Sequence, residues 1–218
     1  MPKARLSVSS RNYSSWSLRG WLLCRLSGLD FETEVLTAAD PSSRAELLHL
    51  SPSFLVPRLI HGEVRVWDAF AIAAHLNEIR PAAGLLPAEP KARAWCWSIA
   101  GEMHQGFANL RSALPMNLKA RHDGFKIWAG ARPDIERIVA IWQECLTAHG
   151  GPWLFGDRPT IADAMFAPVC TRFVTYDVAL PADCAAYRDH IMAWPAMVEW
   201  IETSLAEPED VEELDMEF

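Results

Sequence analysis

The spacing of apolar residues changes several times along this chain, and each change marks an element. Residues 5–9 alternate, with Leu6 and Val8 set against Ser7 and Ser9, which predicts a half-buried strand. From residue 15 the spacing lengthens to helical intervals (Leu18, Trp21, Leu22, Leu26), which predicts a helix over 15–27 that Gly28 stops. A second strand follows over 31–36, and Pro41 suits the start of a short helix over 42–49. Residues 58–60 and 64–67 flank His61-Gly62-Glu63, a tight hairpin turn. Ile72, Ala73, Leu76 and Ile79 return to helix spacing over 69–79. The order is βαβαββα. Its first crossover requires parallel strands and its hairpin requires antiparallel ones.

Beyond residue 80 the strand signal disappears. Residues 81–90 form a Pro-rich connector, and helices are predicted over 91–113, 133–149, 160–175 and 183–205, the last broken near Trp194-Pro195. The chain therefore divides into an α/β unit (1–80), a linker (81–90), an all-α bundle (91–206) and an acidic tail (207–218). Thr160 and Asp163 stand at capping-box spacing, with Asp where Glu or Gln is usual, so each can satisfy an amide at the start of the following helix.

Composition narrows the classes. At 218 residues and 50% hydrophobic, the chain can bury a sizeable core, yet no apolar run reaches the roughly 18–20 residues of a membrane helix. The first residues pass straight into a strand with no signal-like apolar stretch, and the five cysteines show no paired or metal spacing. A cytoplasmic protein with reduced, buried thiols, no metal and no membrane partner is expected. The net charge of −8 is concentrated at one end: residues 207–218 hold seven acids and no base. Without them 21 acids face 20 bases, so the tail reads as a solvated end and a nucleic-acid partner is not expected.

The candidate chemistry lies in Asn12-Tyr13-Ser14-Ser15-Trp16-Ser17-Leu18-Arg19, at a strand-to-helix turn. A serine there can cap the orphan amides of the first turn, and the helix dipole favours an anion beside it. Downstream stand Leu55-Val56-Pro57, then Asp68-Ala69 at a helix start, then the Thr160–Asp163 box. In this order the segments resemble the serine-type glutathione S-transferases, zeta-like and bacterial, over about residues 5–205.

The resemblance implies a thioredoxin-like N-terminal domain followed by an all-α helical domain, glutathione as cosubstrate, and a homodimer. It implies that Ser14 donates to the glutathione thiolate, with Ser15 its nearest rival. It further implies that Val56, before a cis Pro57, pairs with the tripeptide backbone, and that Asp68 and Ala69 receive its γ-glutamyl end. For Ser14 and Asp68 a plain helix cap is the competing assignment. Ala69 lacks the hydroxyl usual at that position, and Phe54 and Leu55 replace polar residues, which motivates a non-enzymatic binding module as one alternative. A glutathione-dependent cis–trans isomerase of the maleylacetoacetate type is another. Trp16, Met103, His104, Phe107 and Arg111 are candidate walls for a second substrate, the last four spaced to share one helix face, although such residues at helical spacing also build cores.

Overall fold

The computed structural model describes residues 3–36 and 56–207. The helix expected over 42–49, Phe54, Leu55 and the tail beyond Glu207 lie outside the described residues.

Strands β1 (Ala4–Val8), β2 (Phe31–Val35), β3 (Arg58–His61) and β4 (Val64–Trp67) form one sheet in the order β2-β1-β3-β4. β1 runs parallel to β2 and antiparallel to β3, with Leu6 opposite both Thr33 and Leu59, and β3 and β4 form the expected hairpin. Ala4, Leu6 and Val8 are buried, so the alternation read in the sequence points one row of side chains into the core. Helices α1 (Ser15–Ser27) and α2 (Ala69–Ile79) pack against each other beside this sheet. Gly28 closes α1 at φ 65°, a left-handed conformation that glycine adopts without a Cβ clash.

The remaining helices are α3 (Pro90–Gln105), α4 (Ala108–Ala113), α5 (Arg132–His149), α6 (Ile161–Thr175), α7 (Ala182–Met192) and α8 (Pro195–Leu205). α6 is buried around almost its whole circumference and touches α1, α3 and α7, so it is the axis of the helical half. Its start is the anticipated box: Asp163 accepts from the Thr160 amide at 2.7 Å and the Thr160 hydroxyl at 2.9 Å. The same carboxylate accepts from the Leu154 amide and the Tyr187 hydroxyl. Buried apolar residues of both halves form one continuous core. Among the described residues no helix is long and apolar enough to cross a membrane.

One expected helix is corrected. The run over 91–113 breaks at Gly106 and Phe107, the latter in left-handed backbone at φ 63°. The break is held by tertiary bonds: Asp134 accepts from the Leu110 amide, and the Arg111 guanidinium takes the carbonyls of Met103 and His104. Met103, Phe107 and Arg111 therefore do not share one helix face. Met103 and Phe107 are core residues.

Gly20, inside α1, has a packing reason. A Cβ there would lie 2.4 Å from Cβ of Pro57, so α1 approaches that proline through a missing side chain. Alanine would gain up to about 1 kcal/mol of helix propensity but would overpack the contact at a cost of about 1–3 kcal/mol. Gly20→Ala is therefore expected to lower the thermal midpoint, and an unchanged or raised midpoint would contradict this packing.

Candidate functional site

Ser14 is the N-cap of α1, with extended backbone at φ −87° and ψ 96°. Its oxygen accepts from the Ser17 amide at 3.2 Å, and its hydroxyl donates to Ser17 Oγ at 2.9 Å. Ser17 Oγ also receives the Ser9 amide at 3.0 Å, so it serves as the resting acceptor for the Ser14 proton. Ser14 is half-buried, whereas Ser15 is 7% exposed with its oxygen turned to the Arg19 guanidinium, and Ser17 is fully buried. Of the three hydroxyls, Ser14 is the one best exposed to an incoming group. The first turn of α1 holds no acid, so no carboxylate of that turn compensates its positive end.

The Val56–Pro57 peptide is cis. The Pro57 carbonyl accepts from the Asp68 amide at 3.2 Å and the ring rests against Gly20, which fixes this segment between α1 and the start of α2. Asp68 sits at φ 78° and ψ 133°, a conformation that costs a non-glycine residue of order 1–3 kcal/mol and persists only when its neighbours impose it. Here they do. Oδ1 accepts from the Phe70 and Ala71 amides at 2.8 and 3.1 Å, while Oδ2 meets His104 Nε2 at 3.2 Å. Asp68 thus caps α2 and contacts His104 at once. Ala69, the first residue of α2, is fully buried, and its amide is one of the first-turn amides that have no partner inside the helix.

Trp16 gathers the other candidate wall residues. Its ring lies 4.7 Å from the Arg19 guanidinium carbon, 4.6 Å from that of Arg111, and edge-on to His104 at 5.1 Å. Phe70 lies against His104 on a further side. Among the described residues, His104 Nδ1 and Arg111 Nε are buried without a hydrogen-bond partner.

Arg19, Arg111 and Arg172 form a cationic cluster that pairs with carbonyls and, among the described residues, with no carboxylate. Arg19 donates to the Met165 carbonyl, and Arg172 to those of Arg111 and Leu114. Burial, and then repulsion from Arg111 and Arg172, holds Arg19 well below the usual guanidinium range. Burial together with Arg111 brings Arg172 down to about 10.

The protein's own sulfurs are placed out of reach. All five cysteines are buried and unpaired, and burial pushes the Cys96, Cys145 and Cys184 thiols up to about 12. None can supply a thiolate near neutral pH. Among the described residues no His, Cys, Asp or Glu group could hold a metal ion.

Three supports of the site escaped the sequence reading. Ser17 had a local signal, since it stands at the third helical position after a serine cap. Asn12 had none: its Oδ1 receives the Leu118 and Lys119 amides from a distant segment. Glu207, first residue of the supposedly solvated tail, is a correction. Its carboxylate receives the Ser10 hydroxyl, the Arg11 amide and the Arg11 guanidinium, and its side chain is 18% exposed.

Comparison with known proteins agrees with this architecture. Residues 13–79 match the family model "Glutathione S-transferase, N-terminal domain" and residues 103–203 match "Glutathione S-transferase, C-terminal domain". Over 175 residues the chain is 27% identical to glutathione S-transferase 1 of Dianthus caryophyllus, covering 78% of each chain. It is 29% identical to the maleylacetoacetate isomerase of Rhizobium meliloti, covering 78% of this chain and 82% of that one. A glutathione transferase homolog from Burkholderia, solved with bound glutathione, superposes with a TM-score of 0.69 at 23% identity, over 94% of this chain and all of the other.

Proposed function

Because the chain belongs to the glutathione S-transferase family, we propose that it is a cytoplasmic, glutathione-dependent enzyme in which Ser14 stabilises the thiolate of the tripeptide. The observation that carries this reading is the Ser14 hydroxyl at the acid-free N-terminus of α1, in a protein whose own thiols are buried.

Glutathione would engage three further residues beside that hydroxyl. Its cysteinyl backbone would pair with Val56, its γ-glutamyl carboxylate with the Ala69 amide, and its amine with Asp68 Oδ2. A free cysteine thiol has a pKa of about 8.5, so ionising it near neutrality calls for a depression of about two units, or roughly 2.7 kcal/mol. A hydroxyl donating to an anion supplies roughly 1.5–3 kcal/mol and a helix N-terminus roughly 0.3–1 kcal/mol, which closes the sum. On binding, the Ser14 proton turns from Ser17 Oγ to the sulfur, while Ser17 keeps the Ser9 amide. The thiolate then attacks an electrophilic carbon. A C–S bond forms, and the leaving group departs with its electron pair.

A second reading keeps the same thiolate and changes its fate. Buried cations without carboxylate partners are costly, and an anion beside them recovers part of that cost. Arg19 and Arg111 over Trp16, with Arg172 bonded to the Arg111 carbonyl, favour an acidic second substrate. With an acidic cis-enone, sulfur adds to the double bond and the electron pair moves onto the carbonyl oxygen. Rotation about the new single bond follows, and expulsion of the thiolate restores the alkene in the trans form. Named maleylacetoacetate isomerases among the relatives support this reading.

The test is to titrate glutathione on the protein by its ultraviolet thiolate band. The bound thiol should ionise about two units below 8.5. Titration at the free value, or no binding at millimolar glutathione, would remove the proposal. Comparing turnover of an acidic cis-enone with that of a chlorinated aromatic electrophile separates isomerase from transferase.

A further inference from the structure

The turn that delivers Ser14 is tied to the far end of the chain. Ser14 donates its amide to the Ser10 carbonyl at 3.0 Å, so Ser10 is the anchor from which the catalytic serine is suspended. The Ser10 oxygen accepts from the Asn12 and Tyr13 amides at 3.2 and 3.4 Å, which requires its proton to point elsewhere. It points to Glu207 Oε2, 3.1 Å away. The same carboxylate receives the Arg11 amide at 3.0 Å and the Arg11 guanidinium at 3.3 Å. Glu207 is itself held, since Lys119 Nζ donates to its carbonyl at 2.7 Å. Both side chains of the ion pair are largely buried, 16% exposed for Arg11 and 18% for Glu207. From the other side, the Trp200 indole donates to the Arg11 carbonyl at 3.0 Å.

We propose that Glu207 is a positioning residue for Ser14. The carboxylate accepts on both oxygens, and among the described residues each group bonded to it is a donor. It sets the direction of the Ser10 hydroxyl, hence the Ser10 turn, hence where the Ser14 oxygen stands at the mouth of α1. A site hydroxyl must be held within about 0.5 Å of its working position, and a loop preceding a helix has no ladder of its own to supply that precision. The chain supplies it from a residue 197 positions away. The proposal rests on the assignment of Ser14 to the thiolate.

The discriminating variant is Glu207→Gln in the full chain. It keeps size and shape but turns one oxygen into an N–H donor that confronts the Arg11 donors or the Ser10 hydroxyl. Wild type, Glu207→Gln, Ser14→Ala and the double variant are compared by the pH profile of kcat/KM with saturating electrophile. Glu207→Gln is expected to lower kcat/KM about tenfold through a small misplacement of the hydroxyl. The acid limb should move upward by about half a unit. Added to Ser14→Ala, Glu207→Gln should shift the acid limb no further, because the two act through one hydroxyl. A wild-type acid limb in Glu207→Gln, or a full additional shift in the double variant, overturns the role of Glu207 while Ser14 stands. A wild-type limb in Ser14→Ala overturns both. If Glu207→Gln fails to fold, Lys119→Met releases the other end of the same residue. It should move the limb in the same direction by a smaller amount, and an unmoved limb there also counts against the proposal.

Discussion

Ser14→Ala is expected to reduce kcat/KM for glutathione turnover by up to about 100-fold in the acid range, with the deficit closing as pH rises. The size follows from the thiol. The hydroxyl's share of roughly 1.5–3 kcal/mol is about one to two pKa units, and below both values the ionised fraction differs by about tenfold per unit, so about 100-fold is the upper end. Removing one preorganised donor to a developing anion costs a similar 10²–10³-fold in other enzymes. The sign follows as well. Above about pH 9 the unassisted thiol ionises by itself, so wild type and variant should converge to within a few-fold. The variant also loses the cap on the Ser17 amide, which costs about 1 kcal/mol of stability and is measured separately by urea denaturation. A deficit independent of pH would mean that Ser14 holds the helix and not the sulfur.

Asp163→Ala is expected to be the most damaging single change to folding, at about 3–5 kcal/mol by urea denaturation. The carboxylate is fully buried at the start of the central helix. It receives two amides and two hydroxyls: Thr160 N at 2.7 Å, Thr160 Oγ1 at 2.9 Å, Leu154 N at 3.0 Å and Tyr187 Oη at 3.1 Å. Burial pushes its carboxyl up and these four donors pull it back, so its neighbourhood is built around an acceptor. Alanine strands all four donors, and each buried unsatisfied group costs about 1–3 kcal/mol before relaxation. A loss below about 1 kcal/mol would mean that water replaces the carboxylate at this point.

Helix starts were legible in the sequence because caps are local. Ser14, Asp68 and Thr160 each stand within three residues of the amide or carboxylate they engage. The hairpin and the proline break before α8 were legible for the same reason, since turn chemistry is written in adjacent residues. The break between α3 and α4 was not, because one glycine inside a helical pattern is tolerated and the bonds that hold the break come from Asp134 and Arg111. Arg19, a charge inside an apolar helix pattern, is 1% exposed because a carbonyl of α6 and the Trp16 face receive it. Asn12 and Glu207 find their partners 106 and 197 residues away, separations at which no spacing rule applies. The candidate hydroxyl could be read from its neighbours in sequence, whereas its supports are tertiary.

The burial of all five cysteines has a consequence for durability. A catalyst that brings electrophiles up to a sulfur nucleophile risks being alkylated by its own cargo. Here all five cysteine thiols are enclosed, so on the proposed chemistry alkylation would fall on the bound tripeptide, which leaves with the product. The macromolecule would survive each encounter, and the sacrificial part would be replaced by the next molecule to bind.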